Sequence, residues 1–304
     1  VASLVAFVRL SRPLFLYGGI AGVGLGAALA AWSGHRIALA TYLWVQVLVS
    51  ALHLMVHYAN DYFDREGDRD ARRTAWSGGS GVVIAGGALA PRVALVAALV
   101  CAAIGLGAAL RFALVGNMLV ALLGVAIAIG AWMYSAPPLR LVARGLGELD
   151  AALVVAVLVP ASAYAAFAGR LDPLLLVALQ GPFLAMLVMM LCVELPDAAV
   201  DAAVGKRTWA VRLDALQAVV CLRLLAVLAV VATGIALARA GGPFYLPAFA
   251  VPAACCAGGV AGAATRAAVG GGRGLGRVAM FGVGLYATTA TGLALAYGLA
   301  AGAR

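Results

Sequence analysis

Nine runs of about twenty apolar residues, almost free of charge, leave this chain few architectures to choose from. A hydrocarbon core of about 30 Å takes close to 20 helical residues to cross. The runs fall at 14–32, 38–59, 92–110, 112–134, 150–169, 173–193, 215–238, 244–265 and 278–300. They are continuous and lack period-two alternation, which excludes a strand barrel. Backbone polar groups must find partners inside lipid, so the runs are expected to be helices. Charged residues make up 11% of the chain and the mean hydropathy is +1.07, whereas soluble domains carry about 25% charge. We expect an all-α integral membrane protein with about nine transmembrane helices.

The cations orient it. With the N-terminus in the cytoplasm, fifteen Lys and Arg residues fall on the inner side and five on the outer, and Arg223 lies within the seventh run. That bias predicts an N-in, C-out topology. The net charge of +9 then reflects topology and contact with anionic lipid, and nucleic acid is not an expected partner. No cleavable signal pattern opens the chain, and Val1 implies loss of an initiator Met. The five cysteines, Cys101, Cys192, Cys221, Cys255 and Cys256, sit in apolar stretches without metal-ligand spacing and are expected to be small buried hydrophobes.

Carboxylates carry the functional information. The chain has 12 Asp and Glu residues, and eight lie in two short stretches. One is Asn60-Asp-Tyr-Phe-Asp64-Arg-Glu66-Gly-Asp68-Arg-Asp70, after the second run. The other is Glu194-Leu-Pro-Asp197-Ala-Ala-Val-Asp201, after the sixth. An Asp at a helix centre costs roughly 2.5–3.5 kcal/mol to insert, so carboxylates held beside a membrane mark a functional site with a cationic partner. Asn60, Asp64 and Asp68 are spaced i, i+4, i+8, and Asp197 and Asp201 i, i+4, which predicts one broad helix face for each set. Both stretches end on the same predicted side. Together they form an oxygen-only cage of the kind Mg²⁺ prefers, usually shared with substrate phosphates. The lack of His and Cys in the stretches argues against zinc. A metal-bound diphosphate beside an apolar cavity points to departure of a lipid-linked diphosphate, with Arg72, Arg73, Lys206 and Arg207 close by in sequence.

These residues resemble a known family. The first stretch is similar to the N-D-x-x-D-x-x-x-D motif of the UbiA superfamily of intramembrane prenyltransferases. Asp197 through Leu213 is similar to its D-x-x-x-D-x-x-x-G-K-x-T-x-A-V-x-L motif. Tyr134-Ser-Ala-Pro-Pro-Leu-Arg140, Arg144-Gly-Leu-Gly-Glu148 and Arg12-Pro13 fit the same pattern. The resemblance covers nearly the whole chain and implies one domain, 1–304, of nine helices around a central cavity. It implies Mg²⁺-dependent transfer of an isoprenyl group from its diphosphate to an aromatic acceptor. The implied metal and diphosphate site is Asn60, Asp64, Asp68, Asp197 and Asp201. Arg72, Arg73, Lys206 and Arg140 are implied on the substrate, and Tyr134 beside the allylic cation. The implied location is a bacterial or archaeal cytoplasmic membrane, with the site facing the cytoplasm.

Ser77 through Val82 and Gly205-Lys-Arg-Thr208 look most like the 1,4-dihydroxy-2-naphthoate prenyltransferase (MenA) branch of menaquinone biosynthesis. Members of that branch often carry Asn-Asn and Arg where this chain has Val193, Glu194 and Pro196. A terpene cyclase with the same metal motifs is the alternative activity, and a transporter with acidic coupling sites the non-enzymatic one. His53 and His57 are read as a polar stripe facing a cavity or a neighbouring helix. Arg223 either snorkels to the surface or reaches a substrate anion. Pro137-Pro138 is read as a turn and Gly270–Gly272 as a loop. Glu66 and Asp70 are auxiliary ligands or solvated, and Asp61 lies off the main face, where it orients Asn60 or a water.

Overall fold

The computed structural model describes residues 2–66, 84–242, 244–265 and 274–303, and every regular element among them is helical. In order these are α1 (Ala2–Leu10), α2 (Pro13–Trp32), α3 (Leu39–Phe63), α4 (Pro91–Leu114), α5 (Met118–Met133), α6 (Leu141–Arg144), α7 (Gly147–Leu153) and α8 (Val159–Ala168). They continue as α9 (Leu174–Ala178), α10 (Gln180–Glu194), α11 (Ala198–Ala203), α12 (Trp209–Arg212), α13 (Ala215–Ala240), α14 (Tyr245–Gly258) and α15 (Leu275–Gly302). Among the described residues eight continuous helical segments are long and apolar enough to cross a membrane: Pro13–Trp32, Leu39–Phe63, Pro91–Leu114, Gly147–Ala168, Leu174–Ala203, Ala215–Ala240, Tyr245–Ala263 and Leu275–Gly302. Each overlaps one of the expected runs. The ninth run is represented by α5, which is apolar but only 16 residues long.

Local chemistry explains the boundaries. Pro13 and Pro91 open α2 and α4, where the missing N–H costs nothing and the ring presets φ. The expected run 112–134 is shortened because α4 continues to Leu114 and the chain then turns at Gly116, whose φ is 87°. Asn117 caps α5 by accepting the Val120 N–H at 3.3 Å. Asp214 and Gln217 form a reciprocal capping box at the start of α13. The expected run 173–193 reaches further, to Ala203, across a single 3₁₀ turn at Leu195–Asp197. Pro196 has no N–H to give the α ladder, which accounts for the tighter turn there. The second acidic stretch is therefore the end of the sixth span itself.

The helices pack through small residues. Helix α2 lies against α8 and α15, α3 against α4, and α10 against α13 and α15. Val23, Leu48, Leu52 and Phe112 fill one core; Leu191, Leu222, Leu285 and Tyr286 another; Leu29, Tyr164, Leu237 and Tyr297 a third. Large apolar side chains such as Leu110, Leu122, Leu224, Ile235 and Leu246 point outward and are exposed, a surface suited to lipid. Gly26 is where α2 and α8 come closest: a Cβ there would overlap the Pro160 carbonyl oxygen and crowd Ala163. Gly24, two residues earlier and on the other side of α2, has open space around it. Gly26→Ala is expected to destabilise the bundle by about 1–3 kcal/mol through overpacking. Gly24→Ala is expected to leave the thermal midpoint in detergent unchanged or slightly raised. Equal midpoints for the two variants would refute this packing argument.

Candidate active site

One cavity collects the polar residues that these segments carry. Arg12, Phe15, Tyr17 and Gly18 reach it from the start of α2; His53, His57 and Asn60 from α3; Tyr134 from the end of α5. Asp150 and Val155 line it from the fifth span, Met186, Met189, Met190 and Glu194 from α10, and Tyr286 from α15. Asp64, Asp197, Asp201 and Lys206 close its polar end.

That end is tied together by hydrogen bonds. Helix α3 stops at Phe63, and Asp64 is its C-cap, its N–H donated to the Asn60 carbonyl at 2.9 Å. The expected continuous helical face through Asn60, Asp64 and Asp68 is thus corrected: the helix ends before Asp64. The pairing of the first two survives, because Asn60 Nδ2 donates to Asp64 Oδ2 at 2.7 Å and to Ser135 Oγ at 2.9 Å. Asn60 Oδ1 accepts from Arg12 at 2.9 Å. On the other side, Gly205 adopts φ 79° and ends α11, a conformation that favours glycine, and the chain folds back so that the Lys206 N–H reaches the Asp201 carbonyl at 2.9 Å. Lys206 Nζ then spans the two acidic stretches, 3.2 Å from Asp64 and 3.1 Å from Asp201.

The carboxylate donors here are all oxygens, and Asp64 Oδ1 is buried without a hydrogen-bond partner. This set fits a hard divalent cation. Among the described residues no three His, Cys, Asp or Glu side chains are gathered closely enough to hold an ion by themselves; the Lys206 ammonium sits between Asp64 and Asp201. Asp68, Asp70, Arg72, Arg73, Ser77–Val82 and Gly270–Gly272 lie outside the described residues. Tyr134 lines the cavity as expected from its motif. Arg140 stands apart: it is exposed, with a left-handed φ of 46°, and does not line the cavity. Glu66 is exposed and pairs loosely with Arg65.

Several contacts were not legible from spacing. Asp61 is 2% exposed and forms an ion pair with Arg12. Arg12 itself sits at φ 47°, a rare conformation for a residue with a Cβ. His57 Nδ1 lies 3.1 Å from the Ser11 carbonyl and its ring is 4.8 Å from that of His53, so this stripe does face the cavity. Arg223 donates to the Ala264 carbonyl at 3.0 Å and is not among the residues lining this cavity. The five cysteines are free, Cys192 and Cys256 buried and the others half-buried. The segment after Tyr134 docks onto the segment after Gly205. The Trp209 N–H donates to Glu148, Arg207 N–H to the Ala143 carbonyl at 3.0 Å, and Arg212 to the Arg144 carbonyl at 2.7 Å.

Solved structures share this arrangement of helices. A UbiA homologue from Aeropyrum pernix K1 without ligand superposes with a TM-score of 0.69 at 18% identity, covering 91% of this chain and 97% of that one. A UbiA homologue from Archaeoglobus fulgidus bound to GPP and Mg²⁺ gives 0.68 at 17% identity, covering 98% and 100%. A digeranylgeranylglyceryl phosphate synthase structure gives 0.63 at 16% identity, covering 99% of both chains. No curated protein sequence matches significantly. The model of the UbiA prenyltransferase family matches residues 20–268. The chain therefore belongs to the UbiA prenyltransferase family and is an intramembrane prenyltransferase.

Proposed function

We propose that this chain, as a single domain over 1–304, moves an isoprenyl group from a prenyl diphosphate to an aromatic acceptor, with 1,4-dihydroxy-2-naphthoate of menaquinone biosynthesis as the first candidate. The carrying observation is one cavity with two unlike ends. Asn60, Asp64, Asp197, Asp201 and Lys206 line one end, and Gly18, Val155, Met186, Met189 and Met190 the other. The polar end suits a diphosphate and the apolar end its chain.

Asn60, Asp64, Asp197 and Asp201, with Asp68, are the residues that would hold Mg²⁺, which supplies neutralising charge to the departing diphosphate. The Archaeoglobus homologue bound to GPP and Mg²⁺ supports this assignment. Lys206 presents a fixed ammonium to the same group, and Arg72 and Arg73 are assigned there by motif. The Tyr134 ring faces the allylic carbon and stabilises developing positive charge. The apolar walls keep water from the cation. The cation bias of the loops supports an N-in orientation, with the polar end at the cytoplasmic face of a bacterial or archaeal membrane.

The test is a turnover assay in detergent with geranylgeranyl diphosphate, Mg²⁺ and 1,4-dihydroxy-2-naphthoate, read by mass spectrometry. A prenylated naphthol that disappears on chelation is expected. Pyrophosphate with a cyclic hydrocarbon and no adduct would instead identify a terpene cyclase. No cleavage of any prenyl diphosphate, whatever its chain length, would overturn the reading.

A further inference from the structure

Besides Asp150, two carboxylates at the cavity take no part in the diphosphate end. Glu194 closes α10, one turn before Asp197, and lines the cavity with Met190 and Val193. It is 8% exposed, and among the described residues no group other than the carboxyl beside it is within hydrogen-bond reach of its oxygens. What stands beside it is a second carboxylate, Glu148 of α7, which is fully buried. Glu148 Oε1 takes the Trp209 N–H, while its Oε2 has no hydrogen-bond partner.

A structural role accounts for Glu148, which anchors the segment after Gly205. It does not account for Glu194, which ties nothing down. A buried carboxylate with no N–H or hydroxyl donor is costly, and a glutamine or an apolar side chain would fill the same space at less cost. Glu194 also stands at the junction of the two ends of the cavity, with Asp197 one turn beyond it and Met190 one turn before. The carbon joining the prenyl chain to the diphosphate has to lie at that junction.

We propose that Glu194, backed by Glu148, is the base that takes the proton from a hydroxyl of the aromatic acceptor; this rests on the acceptor reading above. The O–H bond breaks and its proton passes to Glu194. The electron pair left on oxygen is delivered through the ring to the attacked carbon, which bonds to the prenyl carbon. The C–O bond of the donor breaks, and pyrophosphate keeps that pair. The ring is left as a ketone. When the attacked carbon sheds its own substituent, as a proton to pyrophosphate or as carbon dioxide, the freed pair restores the ring and the ketone oxygen regains the proton from Glu194. Glu194 thus ends the cycle as it began.

The experiment compares the full chain with Glu194→Gln and Glu194→Asp in detergent. Donor cleavage is read without acceptor, as slow release of pyrophosphate and prenol. Adduct formation is read with 1,4-dihydroxy-2-naphthoate, with other hydroxylated aromatics, and with ring-fluorinated analogues whose hydroxyls are more acidic. The rate at which Glu194→Gln cleaves the donor is the reference for its adduct formation, and its thermal midpoint in detergent checks its fold. Relative to donor cleavage, its adduct formation is expected to fall by about 100-fold, the low end for loss of a general base. Glu194→Asp is expected to recover part of that loss, and the deficit of Glu194→Gln is expected to shrink with fluorinated acceptors, which lose their proton unaided. Adduct formation by Glu194→Gln as fast as by the parent chain overturns the proposal. So does an equal loss of donor cleavage and adduct formation, or a deficit that fluorination leaves unchanged. If the parent chain forms no adduct with any aromatic acceptor, the acceptor reading fails and takes this proposal with it.

Discussion

Asp64→Ala is expected to lower prenyl transfer by about 1,000-fold. Asp64 sits where three contacts meet: its N–H on the Asn60 carbonyl, and its Oδ2 on both Asn60 Nδ2 and Lys206, while its Oδ1 is buried and uncommitted. Removing it takes a ligand from the cation site and takes from the Lys206 ammonium, 10% exposed, one of the carboxylates it bridges. Metal stabilisation of a leaving oxygen is worth several kcal/mol, and each 1.36 kcal/mol is about tenfold in rate. Asp197→Ala is expected to behave alike from the opposite stretch. Steady-state kinetics with varied Mg²⁺ check this. A variant within tenfold of the parent rate would remove Asp64 from the diphosphate site.

Asp61→Ala is expected to cost about 3–5 kcal/mol of stability, the usual penalty for stripping one partner from a buried ion pair. Asp61 is almost fully buried, and Arg12, its partner, is held in a left-handed conformation of the kind that costs of order 1–3 kcal/mol. Without Asp61 the Arg12 charge loses this carboxylate while the backbone strain remains. Arg12 also holds Asn60 Oδ1 at 2.9 Å, so activity should fall with stability. The double variant Arg12→Met/Asp61→Leu is expected to unfold at a higher temperature than either Arg12→Met or Asp61→Leu alone, because neither charge is then left buried without the other. Strict additivity of the two losses would show that the pair is not coupled.

How much of this could be read beforehand depended on the range of the interaction. Span existence is a local matter of apolar length, and each expected run has its helix. Ends were read less well where one backbone feature overrides hydropathy. Gly116 and Asn117 separate α4 from α5 inside an unbroken apolar stretch, and Pro196 bends the sixth span without ending it. The composition of the polar end was legible because charge is rare in such a chain. Its wiring was not. Arg12 and Asp61 are 49 residues apart and Lys206 and Asp64 are 142 apart, and no periodicity links positions on different helices. Glu194 illustrates the limit: its place in an acidic stretch was plain, but only the fold puts it beside Glu148.

The docking of residues 143–148 onto residues 207–212 has a consequence for anyone who wishes to redirect this enzyme. The Arg207 and Trp209 amides and the Arg212 guanidinium bind a carbonyl, a carboxylate and a carbonyl of the facing segment. Two of those three contacts read only backbone on the receiving side, so they constrain shape more than residue identity. Exchanging one segment with a relative breaks a matched surface, whereas exchanging both carries it over whole. Chimeras built on that pair as one cassette keep the geometry of the polar end and leave the apolar walls free to be varied for chain length.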